Sequence, residues 1–221
     1  MKYFAWKLLA INIIVFILEL TSPYIIPLFA LNPAHIIQTP WTLITAMFLH
    51  ATTTILPDGA TVINLNHLLQ NMVALGLFGI LLEKIIDSKE FLILYLTAGI
   101  FGNLAGIIFY PDSISLGASG AIMGILGALT ILRPKMVVFL GGPIPLILLS
   151  GMWILIDLAG FFAPVDNTGH AAHLAGFAAG IIYGILNKNR FREDKEIKEK
   201  IEDELSDEEM DAWENEYMKI I

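Results

Sequence analysis

Cysteine is absent from all 221 residues. A disulfide framework, a thiolate nucleophile and a Cys-ligated metal are therefore excluded. Basic residues are nearly missing as well: only Lys2, Lys7, Lys84, Lys89, Arg133 and Lys135 precede Lys188, so no basic patch stands ready for a nucleic acid. The His-Glu-x-x-His run of a helical zinc hydrolase is not present. What fills the chain is apolar, 56% of it hydrophobic at a mean hydropathy of +0.71. The formal net charge of −8 sits mostly at the end, where residues 188–221 hold seven Lys/Arg against thirteen Asp/Glu.

Several apolar runs approach the roughly 20 residues that a spanning helix needs. They fall at about 4–20, 64–82, 91–109, 119–132, 143–161 and 172–186. Six spans place both termini on one side, and all thirteen Lys/Arg then fall on that side. The opposite loops, roughly 21–63, 110–118 and 162–171, contain none. By the positive-inside rule the termini are cytoplasmic and those loops external. No small-residue cleavage site follows the first span, which is read as a retained helix. The expectation is an all-α, six-span membrane protein, with its core over 1–187 and an acidic cytoplasmic tail over 188–221.

The fourth run is short. Fourteen residues from Ser119 to Leu132 reach roughly 21 Å at about 1.5 Å each, against a hydrocarbon core of about 30 Å. Its outer end should lie below the external surface. The stretch before it, Tyr110-Pro-Asp-Ser-Ile-Ser-Leu-Gly117, reads as non-helical. Irregular backbone at membrane depth survives only inside protein or along a watery cavity. Measured from the basic residue at each inner boundary, Ser119 is 14 residues from Arg133, His173 is 15 from Lys188 and Asn71 is 13 from Lys84. His67 lies one turn beyond Asn71 on the same helical face. Four polar side chains from three spans thus come to about one depth.

Those four groups suit hydrolysis. A serine hydroxyl needs a base within hydrogen-bond reach, and histidine titrates in the right range. Ser119 is the candidate nucleophile and His173 the candidate base. The oxyanion formed by attack needs preorganised donors, which Asn71, His67 and the free backbone N–H of Ser119 at its helix start can supply. Gly117 and Gly120 remove side chains where a substrate backbone must approach. Span six carries no Asp or Glu at this level, so a Ser-His dyad is expected, with neither cofactor nor metal.

Plainer readings fit the same residues. Gly120, Gly124 and Gly127 facing Gly176 and Gly180 suit small-residue helix packing, with Ser119 as one more packing residue and Asn71 bonded to a neighbouring helix. His170, His35 and His50 read as interfacial or locally bonded. Polar groups inside a bilayer are costly, however, and default to functional readings. A metal site from His67, His170 and His173, a transporter with a polar cavity and an inactive scaffold that binds membrane helices are the rival functions.

Three motifs carry a resemblance. Gly117-Ala-Ser-Gly-Ala-Ile-Met-Gly124, Ala172-His173-Leu-Ala-Gly176-Phe-Ala-Ala-Gly180 and His67-Leu-Leu-Gln-Asn71, in that helix arrangement, resemble the rhomboid intramembrane serine proteases over about residues 4–187. The resemblance implies a six-helix bundle with a short fourth helix and a long first external loop lying partly in the membrane. It also implies cleavage of transmembrane protein substrates by Ser119 and His173, with His67 and Asn71 as oxyanion donors. In His170-Ala-Ala-His173 the second histidine matches the catalytic position, because the glycine spacing follows it. Pro40-Trp41-Thr42-Leu-Ile-Thr45 and Met47-Phe48-Leu49-His50 resemble the family's first external loop.

The departures are local. Trp41-Thr42 stands where many bacterial members carry Trp-Arg, and Met123 where some carry a tyrosine that stacks on the catalytic histidine; a thioether also packs on an imidazole. The segment between His50 and His67, with the turn-like Pro57-Asp58-Gly59, is longer than the family pattern. Gly141-Gly142-Pro143-Ile-Pro145 opens the fifth span with helix breakers; the resemblance implies that this helix or the loop after it moves to admit substrate laterally, and the plainer reading, a short connection, is preferred. Glu19, near the outer end of span one, is placed either to anchor the first loop or to snorkel to water, and no catalytic role follows. In the tail, Ser206-Asp-Glu-Glu209 is a capping-box signature before a stripe of Met210, Trp213, Tyr217 and Ile220, giving a short amphipathic helix able to dock a cytoplasmic partner.

Overall fold

The structure is a computed structural model that describes residues 3–55, 61–139, 141–163 and 166–204. It divides into two compact units, residues 1–185 and 186–221. The first unit carries every candidate site residue and is mostly helical.

In chain order, α1 (Phe4–Thr21) is followed by short pieces: α2 (Ile25–Phe29), a 3-10 turn (Pro33–His35), α3 (Thr42–Thr45) and a second 3-10 turn (Ala46–Phe48). An antiparallel hairpin, β1 (Thr53–Ile55) with β2 (Thr61–Ile63), then leads to α4 (Asn66–Ala74), a π-helical turn (Leu75–Gly79) and α5 (Ile80–Glu83). Next come α6 (Ser88–Phe109) and α7 (Ser119–Leu132). A second hairpin, β3 (Val137–Phe139) with β4 (Pro143–Pro145), turns through the helix breakers at Gly141 and Gly142, and α8 (Leu146–Phe162) and α9 (His170–Glu204) complete the order. Among the described residues, α1 and α6 are long and apolar enough to cross a membrane, and α7 and α8 are shorter apolar helices. The Pro57-Asp58-Gly59 turn and the stripe from Met210 to Ile220 lie outside the described residues.

Sequence explains the ends of the long helices. The Glu83 carboxylate accepts hydrogen bonds from the backbone N–H groups of Phe4 (2.6 Å) and Ala5 (2.8 Å), capping α1 from the end of α5. The Asp87 carboxylate accepts from Lys89 N at 2.7 Å and caps α6. Pro111, just past Phe109, cannot continue that helix.

The core is built around α7. Every residue from Gly120 to Thr130 is buried, whereas α1 and α8 leave Ile13, Ile14, Ile17, Leu155 and Ile156 exposed, an apolar surface of the kind that lipid covers. A Cβ on Gly124 would overlap Ala98 of α6; one on Gly127 would overlap the Phe177 carbonyl; those on Gly176 and Gly180 would overlap the carbonyls of Gly120 and Gly124. The two backbones therefore touch directly, in the small-residue packing that the glycine spacing suggests.

The segment between α1 and β1 is fastened at several points. Trp41 Nε1 donates to the Leu28 carbonyl at 3.1 Å, and Thr45 Oγ1 to that of Phe29 at 2.8 Å. Asn103 of α6 donates to the Leu43 carbonyl at 2.8 Å. Glu19, itself buried, accepts from His50 N at 3.0 Å and so anchors the loop to α1. Leu31 pairs with Ser115 as an isolated bridge, and Gly117 N donates to the Ala46 carbonyl at 2.9 Å. The irregular chain before α7 is thereby held by the first loop, as buried backbone polar groups require.

Two expectations follow. Gly176→Val should cost about 1–3 kcal/mol or more through overpacking, while Gly151→Ala, where a Cβ meets nothing within 4 Å, should be neutral or mildly stabilising; thermal unfolding in detergent checks both. His50 is fully buried, and burial first, then the positive charge on neighbouring His67, pushes its pKa down from 6.5 to about 3. The unfolded chain thus takes up this proton first on acidification, so the His50 contribution is intact above about pH 6.5 and is lost as pH falls toward 3. Between pH 7 and 4.5 the wild-type unfolding temperature should fall further than that of His50→Gln; equal falls would contradict this.

Candidate active site

The approach to Ser119, the candidate nucleophile, runs through a glycine in a backbone conformation that favours glycine. Gly117 has φ of +129°, a region L side chains rarely adopt, and a Cβ there would sit 3.0 Å from His67 Nε2 and 3.8 Å from Ser119 Oγ. Ser119 opens α7, so its backbone N–H lies in the first turn, where donors lack intrahelical partners. The positive end of the helix dipole points the same way.

His67 approaches from the first turn of α4. The Ala51 N–H donates to its Nδ1 at 3.2 Å, which leaves the hydrogen of the neutral ring on Nε2. That Nε2–H looks into the space beside Gly117 and Ser119 Oγ. The His50 ring stacks behind it at 5.1 Å, tilted by 58°. Asn71, buried one turn along α4, donates one amide hydrogen to the His67 carbonyl at 2.8 Å. A second amide hydrogen is left over.

His173 projects from the second turn of α9, and its Nε2 lies 2.8 Å from Ser119 Oγ. Its other ring nitrogen meets a carboxylate: Nδ1 lies 2.9 Å from Asp157 Oδ1 on α8. The same Oδ1 lies 2.8 Å from Nδ1 of His170, and the far side of that ring, Nε2, is 3.4 Å from Asp166 Oδ1. The Asp166 carboxyl accepts from Thr168 N at 2.8 Å, and this bond holds it below the usual carboxylate range. One polar line therefore runs from Ser119 through His173, Asp157 and His170 to Asp166 at the surface.

Of the residues selected from sequence, Ser119, His173, His67 and Gly117 converge within contact distance, and Asn71 flanks them. Gly120 does something different: its missing Cβ faces the Ala172 carbonyl at 3.5 Å, which makes it a helix contact. Met123 is buried one turn beyond Ser119. Asp157 escaped the sequence reading, which looked for a carboxylate on span six alone. The signal was there: Asp157 is the only charged residue between Lys135 and Asp166, and a lone carboxylate in an apolar run defaults to a functional role.

Asp157, His170 and His173 offer ligand atoms within 4.8 Å of one another, so a metal has to be weighed. Tetrahedral zinc with bonds of about 2.0–2.1 Å holds its N and O ligands about 3.3 Å apart. The observed 2.8 and 2.9 Å match direct N–H···O bonds instead.

The Rhomboid domain profile matches residues 38–190. The chain is 35% identical over 156 residues to RHOMBOID-like protein 6, mitochondrial, of Arabidopsis thaliana, covering 66% of this chain and 43% of that protein. It is 35% identical over 158 residues to rhomboid protease GluP of Bacillus subtilis (strain 168), covering 68% and 27%. Rhomboid protein 1, mitochondrial, of Saccharomyces cerevisiae (strain ATCC 204508 / S288c) is 34% identical over 133 residues, covering 53% and 37%. The matched region thus spans less than half the length of each of these relatives. With all three sequence motifs inside the matched region, the chain belongs to the rhomboid family.

Proposed function

We propose that this chain is an intramembrane serine endopeptidase that hydrolyses peptide bonds in or beside transmembrane segments of other proteins. The observation that carries the reading is the 2.8 Å contact between Ser119 Oγ and His173 Nε2, made by two helices whose backbones touch through glycine. In this reading the six apolar segments form a six-span bundle, residues 1–187 are its core, and α7 is the short fourth span. Both termini face the cytoplasm of a cell whose plasma membrane holds the protein, and the site opens externally. The tail over 188–221 is a cytoplasmic extension with room for a partner. Neither cofactor nor metal takes part.

The chemistry follows from the geometry. Ser119 Oγ attacks the scissile carbonyl carbon while His173 Nε2 takes the hydroxyl proton. Charge builds on the former carbonyl oxygen, and the Ser119 N–H, His67 Nε2–H and remaining Asn71 amide hydrogen are the donors that meet it. The intermediate collapses, the C–N bond breaks, and His173 returns its proton to the leaving amine. Water, activated by the same nitrogen, then splits the acyl ester. The bare backbone at Gly117 is where the extended substrate backbone approaches, once it has been unwound from its helix.

Purified protein offered a transmembrane substrate with small residues near its external end should cleave it. Ser119→Ala and His173→Ala should remain folded and lose cleavage, and a fluorophosphonate should label Ser119 only when His173 is present. Chelators should have no effect; chelator-sensitive cleavage that survives Ser119→Ala would replace this reading with a metal mechanism. An unlabelled wild type inactive on many substrates would favour a scaffold or transporter. His67→Ala and Asn71→Ala should each lose rate by about 2.7–4 kcal/mol, the usual worth of one oxyanion donor; unchanged rates in both would remove them from that role.

A further inference from the structure

Asp157 has a place in the site that neither the motifs nor the comparisons assign. It lies in the middle of apolar α8, only 2% exposed, where an ionised carboxylate is expensive unless it is paired and hydrogen-bonded. Two imidazoles meet that need. Both contacts use the same oxygen and both use Nδ1 of the histidine, and an ionised carboxylate can only accept. Each neutral ring must therefore carry its hydrogen on Nδ1. For His173 this has a direct consequence: Nε2 is left with a lone pair, and that lone pair faces Ser119 Oγ at 2.8 Å.

The second imidazole is built in with equal care. His170 and His173 are three residues apart on α9, one helical turn, and so present the same face. His170 is 5% exposed. The space for its ring is made by Gly160 of α8, one turn beyond Asp157: a Cβ at that position would overlap the imidazole at Nε2 and Cε1. His170 approaches Asp157 Oδ1 beside His173, so the carboxylate is held by two donors, and its far nitrogen leans toward exposed Asp166.

We propose that Asp157 is a positioning residue for His173: it fixes the Nδ1–H tautomer, aims Nε2 at the nucleophile and stabilises the imidazolium formed when the Ser119 proton is taken up, while His170 holds the carboxylate in place. The proposal rests on the serine-protease reading for its effect on rate, and on geometry alone for the tautomer. It replaces the dyad expected from sequence with a line of three groups from three helices. The proton taken by Nε2 stays on His173; Asp157 remains an anion throughout.

Two measurements test it. Nitrogen-15 spectra of histidine-labelled wild type in liposomes at neutral pH should show His173 with Nδ1 protonated and Nε2 bearing the lone pair. The opposite tautomer would overturn the proposal whether or not the protein is a protease. Asp157→Asn keeps an acceptor oxygen for the two rings and removes the charge. This variant should bind substrate with KM within about twofold of wild type, while kcat and the rate of fluorophosphonate labelling at Ser119 both fall by more than about twofold and by up to about 10,000-fold, the loss that the same Asp-to-Asn change causes in a Ser-His-Asp triad. His170→Gln should lose kcat by a smaller factor at the same KM and provides the kinetic test should Asp157→Asn misfold. Cleavage by a folded Asp157→Asn at more than half the wild-type kcat would overturn the role, as would His170→Gln with unchanged kcat. Wild type that shows the expected tautomer yet neither cleaves nor labels would sink the protease reading and leave the positioning of His173 standing.

Discussion

Direct backbone contact between α7 and α9 is the constraint on which the rest depends. Gly120 and Gly124 offer carbonyls to the bare Cα atoms of Gly176 and Gly180, and no side chain larger than hydrogen fits between. This contact begins at the residue after Ser119 and within a turn of His173, so the two side chains are brought to hydrogen-bond distance by rigid helices rather than by loops. Sites carried on packed helices hold their geometry to a fraction of an ångström, which proton transfer demands. The readings of the Gly-x-Ser-Gly stretch as a packing motif and as a nucleophile motif are not alternatives here. The packing is the means by which Ser119 meets His173, the pair proposed as nucleophile and base.

Around that contact several buried polar side chains are spent on fastening backbone. Glu83 holds the start of α1, Glu19 holds the loop at His50, and Asn103 holds it at Leu43. Each is a buried polar side chain that fastens backbone, the role such groups most often fill. Asp157 differs from them because its partners are two titratable rings. Thr130 and Ser150 join α7 to α8 through a 2.7 Å hydroxyl pair, which fixes the helix bearing Asp157 against the helix bearing Ser119.

How much of this was legible in the sequence depended on which side chains a linear ruler can align. Counting from Arg133, Lys188 and Lys84 brought Ser119, His173 and Asn71 to one depth because helices rise by a constant 1.5 Å per residue. Glycine spacing announced the α7–α9 contact for the same reason. Asp157 was missed because depth says nothing of rotation: which face of α8 turns inward is decided by packing, and the search for a carboxylate was confined to the helix of the histidine. Gly120 was legible as a helix contact from its spacing, and its bare Cα faces the Ala172 carbonyl; its place beside Ser119 in the chain is what also suggested a substrate approach. The break in the second apolar segment, where a π-helical turn interrupts Asn66–Glu83, leaves no mark in hydropathy, because π and α turns are built from the same apolar residue types.

In the proposed mechanism Ser119 and His173 act on one reacting carbonyl. A peptidyl chloromethyl ketone tests this directly, because its carbonyl carbon is open to a serine and its methylene carbon to the adjacent base. The account predicts a crystal structure of the adduct with one bond to Ser119 Oγ and one to His173 Nε2. Alkylation of His170 or His67 instead, with Ser119 left free, would contradict it.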